Sequence, residues 1–345
     1  MLRLGNKLWL KLQSTMLKER ALKDRGETKD SKVTASKVAT EHKEGCTSTK
    51  GFDEHLFRFG MKQRIFEIGN LKIGGQPGET LTVLIGSIFY HRQKIVLDEN
   101  TGRIDRINAQ ELIRLQEEFS EKTGNPSMLD VVGSTREAME NYIDFVAEVT
   151  EMPILVDSPS VEVRIAGLKF AKSIGLENRT IYNSLTPESK PEEFEAIKES
   201  GMKSAILLAY KEGVTSSGAR TEALKEILPR AEEVGITKPL LDTAVIDIPS
   251  LSMACRTILQ LKKELGLPCG CGAHNAMSTW TGFKERMGSE AVKPCAVAVN
   301  AVPVVLAADF ILYGPIEDCR YVFPSMYAIN ASYKYLYKSK EQIEL

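Results

Sequence analysis

Five short apolar runs between residues 128 and 275 end on side chains that can ionise or hydrogen-bond: Asp130, Asp157-Ser158, Asn183-Ser184, Asp242-Thr243 and His274-Asn275. A carboxylate can pair with an N–H/NH2 edge through both oxygens, and an amide offers a donor and an acceptor side by side. Such a set suits a nitrogen heterocycle. An Asn in particular can follow a ring nitrogen whose protonation changes during a reaction. Each residue also has a plainer role, because Asp and Asn at strand ends often cap helices or form turns. His274 is as apt to orient a neighbour or to pack as to catalyse. Five at matching ends make a stronger pattern than any one alone.

Side chains spaced this way need a repeating scaffold to bring them together. Apolar runs with strand character recur at 82–90, 128–132, 153–157, 180–183, 204–209, 240–245, 268–272 and 309–313. Helical spacing separates them, as in Leu112, Leu115 and Phe119, in Met139, Ile143 and Val146, and in Ile258, Leu261 and Leu265. Ser134 and Glu137 have the spacing of a capping box before the second helix, and Gly175 and Gly201 stand where the third and fourth helices need a left-handed end. Eight strand-then-helix units in about 260 residues predict an α/β fold, the (β/α)8 TIM barrel. An open doubly wound sheet would want a Gly-rich first turn, and the first strand instead ends Ser87-Ile88-Phe89-Tyr90. In a barrel, chemistry gathers at the C-terminal strand ends, where the five sets fall. Within 52–79, runs 65–68 and 71–73 around Gly69-Asn70 predict a short hairpin closing the barrel floor. Cys269-Gly270-Cys271 could suggest zinc thiolates, but no second Cys pair stands at ligand spacing. Small residues filling a tapered barrel are the preferred reading, and no metal is expected. No nucleophile-elbow pattern occurs either.

The chain has 345 residues, 43% hydrophobic and 26% charged, the balance of a soluble globular protein. Its 45 Lys/Arg against 46 Asp/Glu argue against a nucleic-acid partner, and no apolar stretch reaches the roughly 18–20 residues of a bilayer span. Six cysteines fit a cytoplasmic chain. Residues 1–50 stand apart, with twelve Lys/Arg against six Asp/Glu, and after Leu17 they offer almost no large apolar side chains. Three readings compete for residues 1–51: an extension foreign to the fold, a disordered tail, and a targeting or membrane-surface segment. All put the folded domain at 52–345.

The segments FRFGMKQRIFEIGNLKIGGQPGE, TVLIGSIFY, YIDFVAEVTEMPILVDS, RTIYNS and FILYGPIED, in order along the chain, resemble the family of the H subunit of tetrahydromethanopterin S-methyltransferase. The resemblance spans about residues 56–337. It implies a pterin-binding barrel that moves a methyl group between N5 of a methyl-tetrahydropterin, tetrahydromethanopterin or tetrahydrofolate, and the cob(I)alamin of a corrinoid protein. By position it implies pterin-edge roles for Asp157, Asn183 and Asp242, with Asp130 and Ser184 beside them. Asn275 falls near N5, and His274 is the competing proton donor. Asp242-Thr243 and His274-Asn275 depart from the Asp-Pro and Ser-Asn of bacterial relatives, the latter toward the archaeal form. The methyl-bearing amine is a reluctant electrophile, and general acid help at N5 is typically worth ~10²–10⁴-fold. The cobalamin is expected on the partner, with other methyltransferase subunits and a homodimer also implied. The expected location is the cytoplasm or the periphery of a membrane complex. A non-catalytic pterin-binding subunit is the alternative.

Overall fold

In the computed structural model, residues 56–339 and 343–345 are described; the expectations for residues 1–51 lie outside them. Eight parallel strands close into a barrel. In chain order they are β1 (Val83–Ile88), β2 (Ser127–Val132), β3 (Ile154–Asp157), β4 (Thr180–Leu185), β5 (Ser204–Leu208), β6 (Lys238–Asp242), β7 (Cys269–Cys271) and β8 (Phe310–Pro315). Each is followed by its helix: α1 (Arg106–Thr123), α2 (Arg136–Val149), α3 (Val161–Ser173), α4 (Pro191–Ser200), α5 (Ser217–Glu233), α6 (Ile248–Leu265), α7 (Val292–Val305) and α8 (Cys319–Ser339). All eight strands fall where the apolar runs predict. The strands are buried nearly throughout because the helices cover their outer faces and side chains fill the interior.

Local chemistry sets the boundaries. Helix α2 starts one residue later than the capping-box spacing suggested. Thr135 is its N-cap and accepts from the Ala138 N–H at 3.1 Å, while Ser134 Oγ donates to the Glu99 carbonyl at 2.6 Å. The hairpin preceding α1 (Val96–Asp98 with Arg103–Ile104) supplies that carbonyl and so draws Ser134 away from the cap. Gly201 caps α4 at φ +75° and Gly175 turns at φ +77° just past α3. Strand β6 stops at Asp242, short of the apolar run's end. The Asp242 carboxylate accepts from the Ala244 N–H two residues on, a turn that Asp side chains favour over continued pairing.

At the N-terminal face, strands Ile65–Ile68 and Leu71–Gly74 form the expected hairpin, with Ile68 and Ile73 fully buried against the barrel. Its backbone is tied to the strand starts: Arg64 N–H donates to the Gly266 carbonyl at 2.7 Å and Gly69 N–H to the Asn178 carbonyl at 3.0 Å. A buried ion pair locks this floor. Lys262 Nζ meets Asp309 Oδ1 at 2.6 Å and donates to the Gly75 carbonyl at 3.3 Å, while Asp309 Oδ2 accepts from the Cys269 N–H at 2.8 Å. An unforeseen parallel pairing of Phe57–Arg58 with Ile343–Glu344 joins the two ends of the described fold. Between β7 and α7 lie short helices Asn275–Ser278 and Phe283–Met287, which build up the rim on that side.

Candidate active site

The C-terminal strand ends enclose a cavity of ≈ 740 Å³, and of the nine strand-end residues singled out in the sequence seven line it, while Ser158 and Thr243 do not. Asp130 and Asp157 come from β2 and β3, Asn183 and Ser184 from β4, Asp242 from β6, and His274 and Asn275 from just beyond β7. Sheet register sets their depth. Asp130 stands opposite Ser87 of β1, whereas Val132 stands opposite Asp157, which in turn neighbours Asn183. Asp130 therefore lies one side-chain layer below the other two. Asn183 and Ser184 are consecutive, so a regular strand would point them to opposite faces. Between Tyr182 and Leu185, however, β4 carries one more residue than the facing stretch of β5. A bulge of this kind re-aims a side chain, and both residues face the cavity.

Ser87 Oγ donates to Asp130 Oδ2 at 2.7 Å, and Asn183 Nδ2 donates to Asp130 Oδ1 at 3.2 Å. Sequence reasoning missed Ser87; aligning the strand ends in register with Asp130 would have found it. It also missed Tyr90, which lines the cavity with its hydroxyl 3.3 Å from Glu317. Burial raises the pKa of Asp130 against the two hydrogen bonds it accepts. Asp157 is raised well above the usual carboxylate range, by burial first and then by the charge of Asp130, with Arg164 and the Ser158 N–H opposing. Like charges this close resist ionising together. Burial also pushes Asp242 up to about 7, against the Ala244 N–H, Arg220 and the Gly272 N–H. No Lys or Arg is among the described residues lining the cavity. Three carboxyl groups without a lining cation suit a ligand edge rich in N–H donors and do not suit a phosphate.

His274 Nδ1 lies 2.9 Å from the Leu312 carbonyl, so the proton sits on Nδ1 and Nε2 is left as an acceptor. Gly314 makes room for the ring: a Cβ there would stand 3.0 Å from His274 Cβ and Cγ, and its φ of +94° also demands glycine. Burial lowers the His274 pKa, with the Leu312 bond opposing. The downward shift favours the neutral imidazole. Asn275 Nδ2 donates to the Val245 carbonyl at 3.1 Å, which leaves the Oδ1 end of the amide to accept from a ligand.

The profile of the family described as Tetrahydromethanopterin S-methyltransferase MtrH subunit matches residues 61–345. The chain belongs to this family. The H subunit of tetrahydromethanopterin S-methyltransferase from Methanothermobacter thermautotrophicus is 40% identical over 282 residues, covering 78% of this chain and 91% of the relative. The H subunit of the putative methyltransferase mtx from Methanosarcina acetivorans is 39% identical, covering 78% and 90%. Among solved structures, the Yersinia pestis DHPS with a pterine-sulfa conjugate aligns with a TM-score of 0.53 at 13% identity, over 78% of this chain and all of that one. A dihydropteroate synthetase with a bound product gives 0.53 at 12%, over 78% and 99%. At such identities the likeness concerns the barrel fold. Among the described residues of this MtrH-family barrel, no group of His, Cys, Asp or Glu is arranged to hold a metal ion. Cys269 and Cys271 are buried in the interior, and burial pushes both thiols up. Among the described residues no helix is long and apolar enough to cross a membrane.

Proposed function

We propose that the chain is a methyltransferase that moves a methyl group between N5 of a methyl-tetrahydropterin and the cobalt of a corrinoid carried by a partner protein. One observation carries this reading: a cavity walled by Asp130, Asp157, Asn183 and Asp242 without a cation, in a family whose members are named for tetrahydromethanopterin. The aminopyrimidinone edge of a pterin is a row of N–H donors beside one carbonyl. Asp157 and Asn183, neighbours in register, offer acceptors to that row and an amide N–H to its carbonyl. Asp130, buried below them and raised in pKa, can present either an oxygen or an O–H. Ser184 adds a hydroxyl at the same wall.

Asn275 is assigned to N5. With its Nδ2 held by Val245, Oδ1 accepts from N5 once that nitrogen carries a proton. That proton comes from solvent, and the electron pair of the breaking C–N bond stays on N5 as the methyl group passes to the reduced cobalt. Because the Oδ1 contact exists only with N5 protonated, it favours the reacting form over the unprotonated bound substrate. Neutral His274 serves as an acceptor on the same rim. The corrinoid supplies the cobalt centre that takes or gives the methyl group.

Transfer from methyl-tetrahydromethanopterin, and separately from methyl-tetrahydrofolate, to free cob(I)alamin is followed by its absorbance. Turnover with either donor is expected, and the preferred donor names the pterin. Calorimetric binding without transfer would make the chain a non-catalytic, pterin-binding member of a larger assembly. Neither binding nor transfer would remove the pterin reading altogether. The same proposal has the chain act as a homodimer beside the corrinoid protein and other methyltransferase subunits, in the cytoplasm or at the periphery of a membrane complex. Sedimentation of the chain alone tests the dimer.

A further inference from the structure

The ends of β3 and β4 are gripped from behind the cavity wall. Tyr182 is fully buried and its hydroxyl meets side chains of α3 and α4, so it projects from the outer face of the sheet. The next residue, Asn183, faces the cavity beside Asp157. Arg164 of α3 reaches this point because Gly167, one turn on, seats the helix against β3: a Cβ there would stand 2.7 Å from Val156 Cγ1. Arg164 Nε donates to the Tyr182 hydroxyl at 3.1 Å, Nη2 donates to Glu193 Oε1 of α4 at 2.8 Å, and Nη1 donates to the Ser158 carbonyl. Tyr182 in turn donates to Glu193 Oε1 at 2.6 Å, and Glu193 Oε2 accepts from the Lys190 N–H at 3.0 Å. Burial raises the Glu193 pKa, but the bonds from Tyr182, Arg164 and Lys190 bring it below its ordinary value. Arg164 and Glu193 therefore form a charged pair, with side chains only 12% and 2% exposed.

The guanidinium thus bonds the residue that follows Asp157 and the residue that precedes Asn183, yet neither Arg164 nor Tyr182 nor Glu193 lines the cavity. A buried ion pair is weak evidence of stability, since well-packed apolar side chains of the same volume often serve as well. What a planar fork of donors does, and an apolar side chain cannot, is hold several acceptors at fixed positions. We propose that Arg164 is a positioning residue: by bonding the Ser158 carbonyl, Tyr182 and Glu193 at once, it fixes the ends of β3 and β4 so that Asp157 and Asn183 present a single edge to the ligand. The identity of that ligand rests on the pterin reading above; the fixing of the strand ends does not.

The test uses the full chain carrying Arg164→Met with Glu193→Gln. Both charges go together, so none is left buried and unpaired, and the glutamine keeps an oxygen for the Lys190 N–H. Hydrogen exchange followed by mass spectrometry reads the strand ends without ligand. Exchange within 157–160 and 183–186 is expected to be ~10-fold faster, with β1, β6 and β8 unaltered. Calorimetry with methyl-tetrahydromethanopterin should find Kd raised ~10-fold. At saturating pterin, kcat for transfer to cob(I)alamin should stay within ~2-fold, because Asp157 and Asn183 act in binding and Asn275 is untouched. Exchange that quickens throughout the barrel marks a merely structural role and overturns the proposal, as does unchanged exchange at the two strand ends. Faster exchange there with unaltered affinity overturns the link to the ligand. A wild type that binds no methyl-tetrahydropterin sinks the pterin reading and leaves the exchange result to decide the positioning role. Should the double variant not fold, Tyr182→Phe, which removes one hydroxyl from the clasp, is held to the same outcomes at ~3-fold in exchange and Kd.

Discussion

Replacing Asp242 by Asn is expected to stabilise the folded chain in alkaline solution while weakening its binding site. Burial raises the Asp242 carboxyl from 3.8 to about 7, so the folded protein holds a proton that the unfolded chain has released. An acid raised in this way contributes stability that is complete below the unfolded value and is lost as pH climbs toward the folded one. At 1.36 kcal/mol per unit the whole loss is about 4 kcal/mol, most of which, roughly 2–3 kcal/mol, falls between pH 5 and pH 8. Asn keeps an oxygen for the Ala244 N–H that Asp242 Oδ1 now binds at 2.8 Å and has no proton to lose. Urea denaturation of both proteins at pH 5 and pH 8 isolates the effect, because pH-independent changes cancel in the double difference. The stability gap between variant and wild type should widen in favour of Asn by roughly 2–3 kcal/mol over that range, a large part of a total that is ordinarily about 5–15 kcal/mol. A gap that stays constant would show that Asp242 is ionised without cost, and the account of a desolvated carboxyl in this cavity would be refuted.

Asn275→Ala should lower kcat by about 10–100-fold with a smaller change in pterin affinity, as loss of a polar contact made chiefly in the transition state costs ~1.5–3 kcal/mol. His274→Gln, measured as kcat against pH, should keep the acid-side rate; if it loses that rate while Asn275→Ala keeps full kcat, His274 is the proton donor and the roles exchange. Asp157→Ala and Asn183→Ala should weaken pterin binding by ~10–100-fold in calorimetry, and unchanged affinity in both would put the pterin elsewhere. Lys262→Met leaves Asp309 buried without its partner at 2.6 Å and should cost about 3–5 kcal/mol in chemical denaturation. Deleting residues 1–51 should alter Tm by less than about 5 °C, since their composition offers no core; a larger drop would show that the segment packs.

The sequence alone determined the scaffold and most of the polar residues that line the cavity. Strand and helix periodicities are local properties of the chain, and so the eight runs, the floor hairpin and the strand ends bearing Asp130, Asp157, Asn183, Asp242 and Asn275 could be read before any contact was known. Long stretches shared with relatives made the family legible as well. Tertiary structure decided what depends on neighbours distant in sequence. Ser87 lines the cavity beside Asp130 because β1 pairs with β2 in a register that sets the two opposite each other. Ser184 faces inward because of an irregularity against β5, and Ser134 gives up its cap to a carbonyl 35 residues away. The charge states were wholly hidden: Asp242 and His274 depart from their ordinary values because folding strips water from them. Arg220 looks like one more surface charge on a helix. Only the packing of α5 against α6 and the barrel buries it, since desolvation is a property of enclosure and not of any local run of residues.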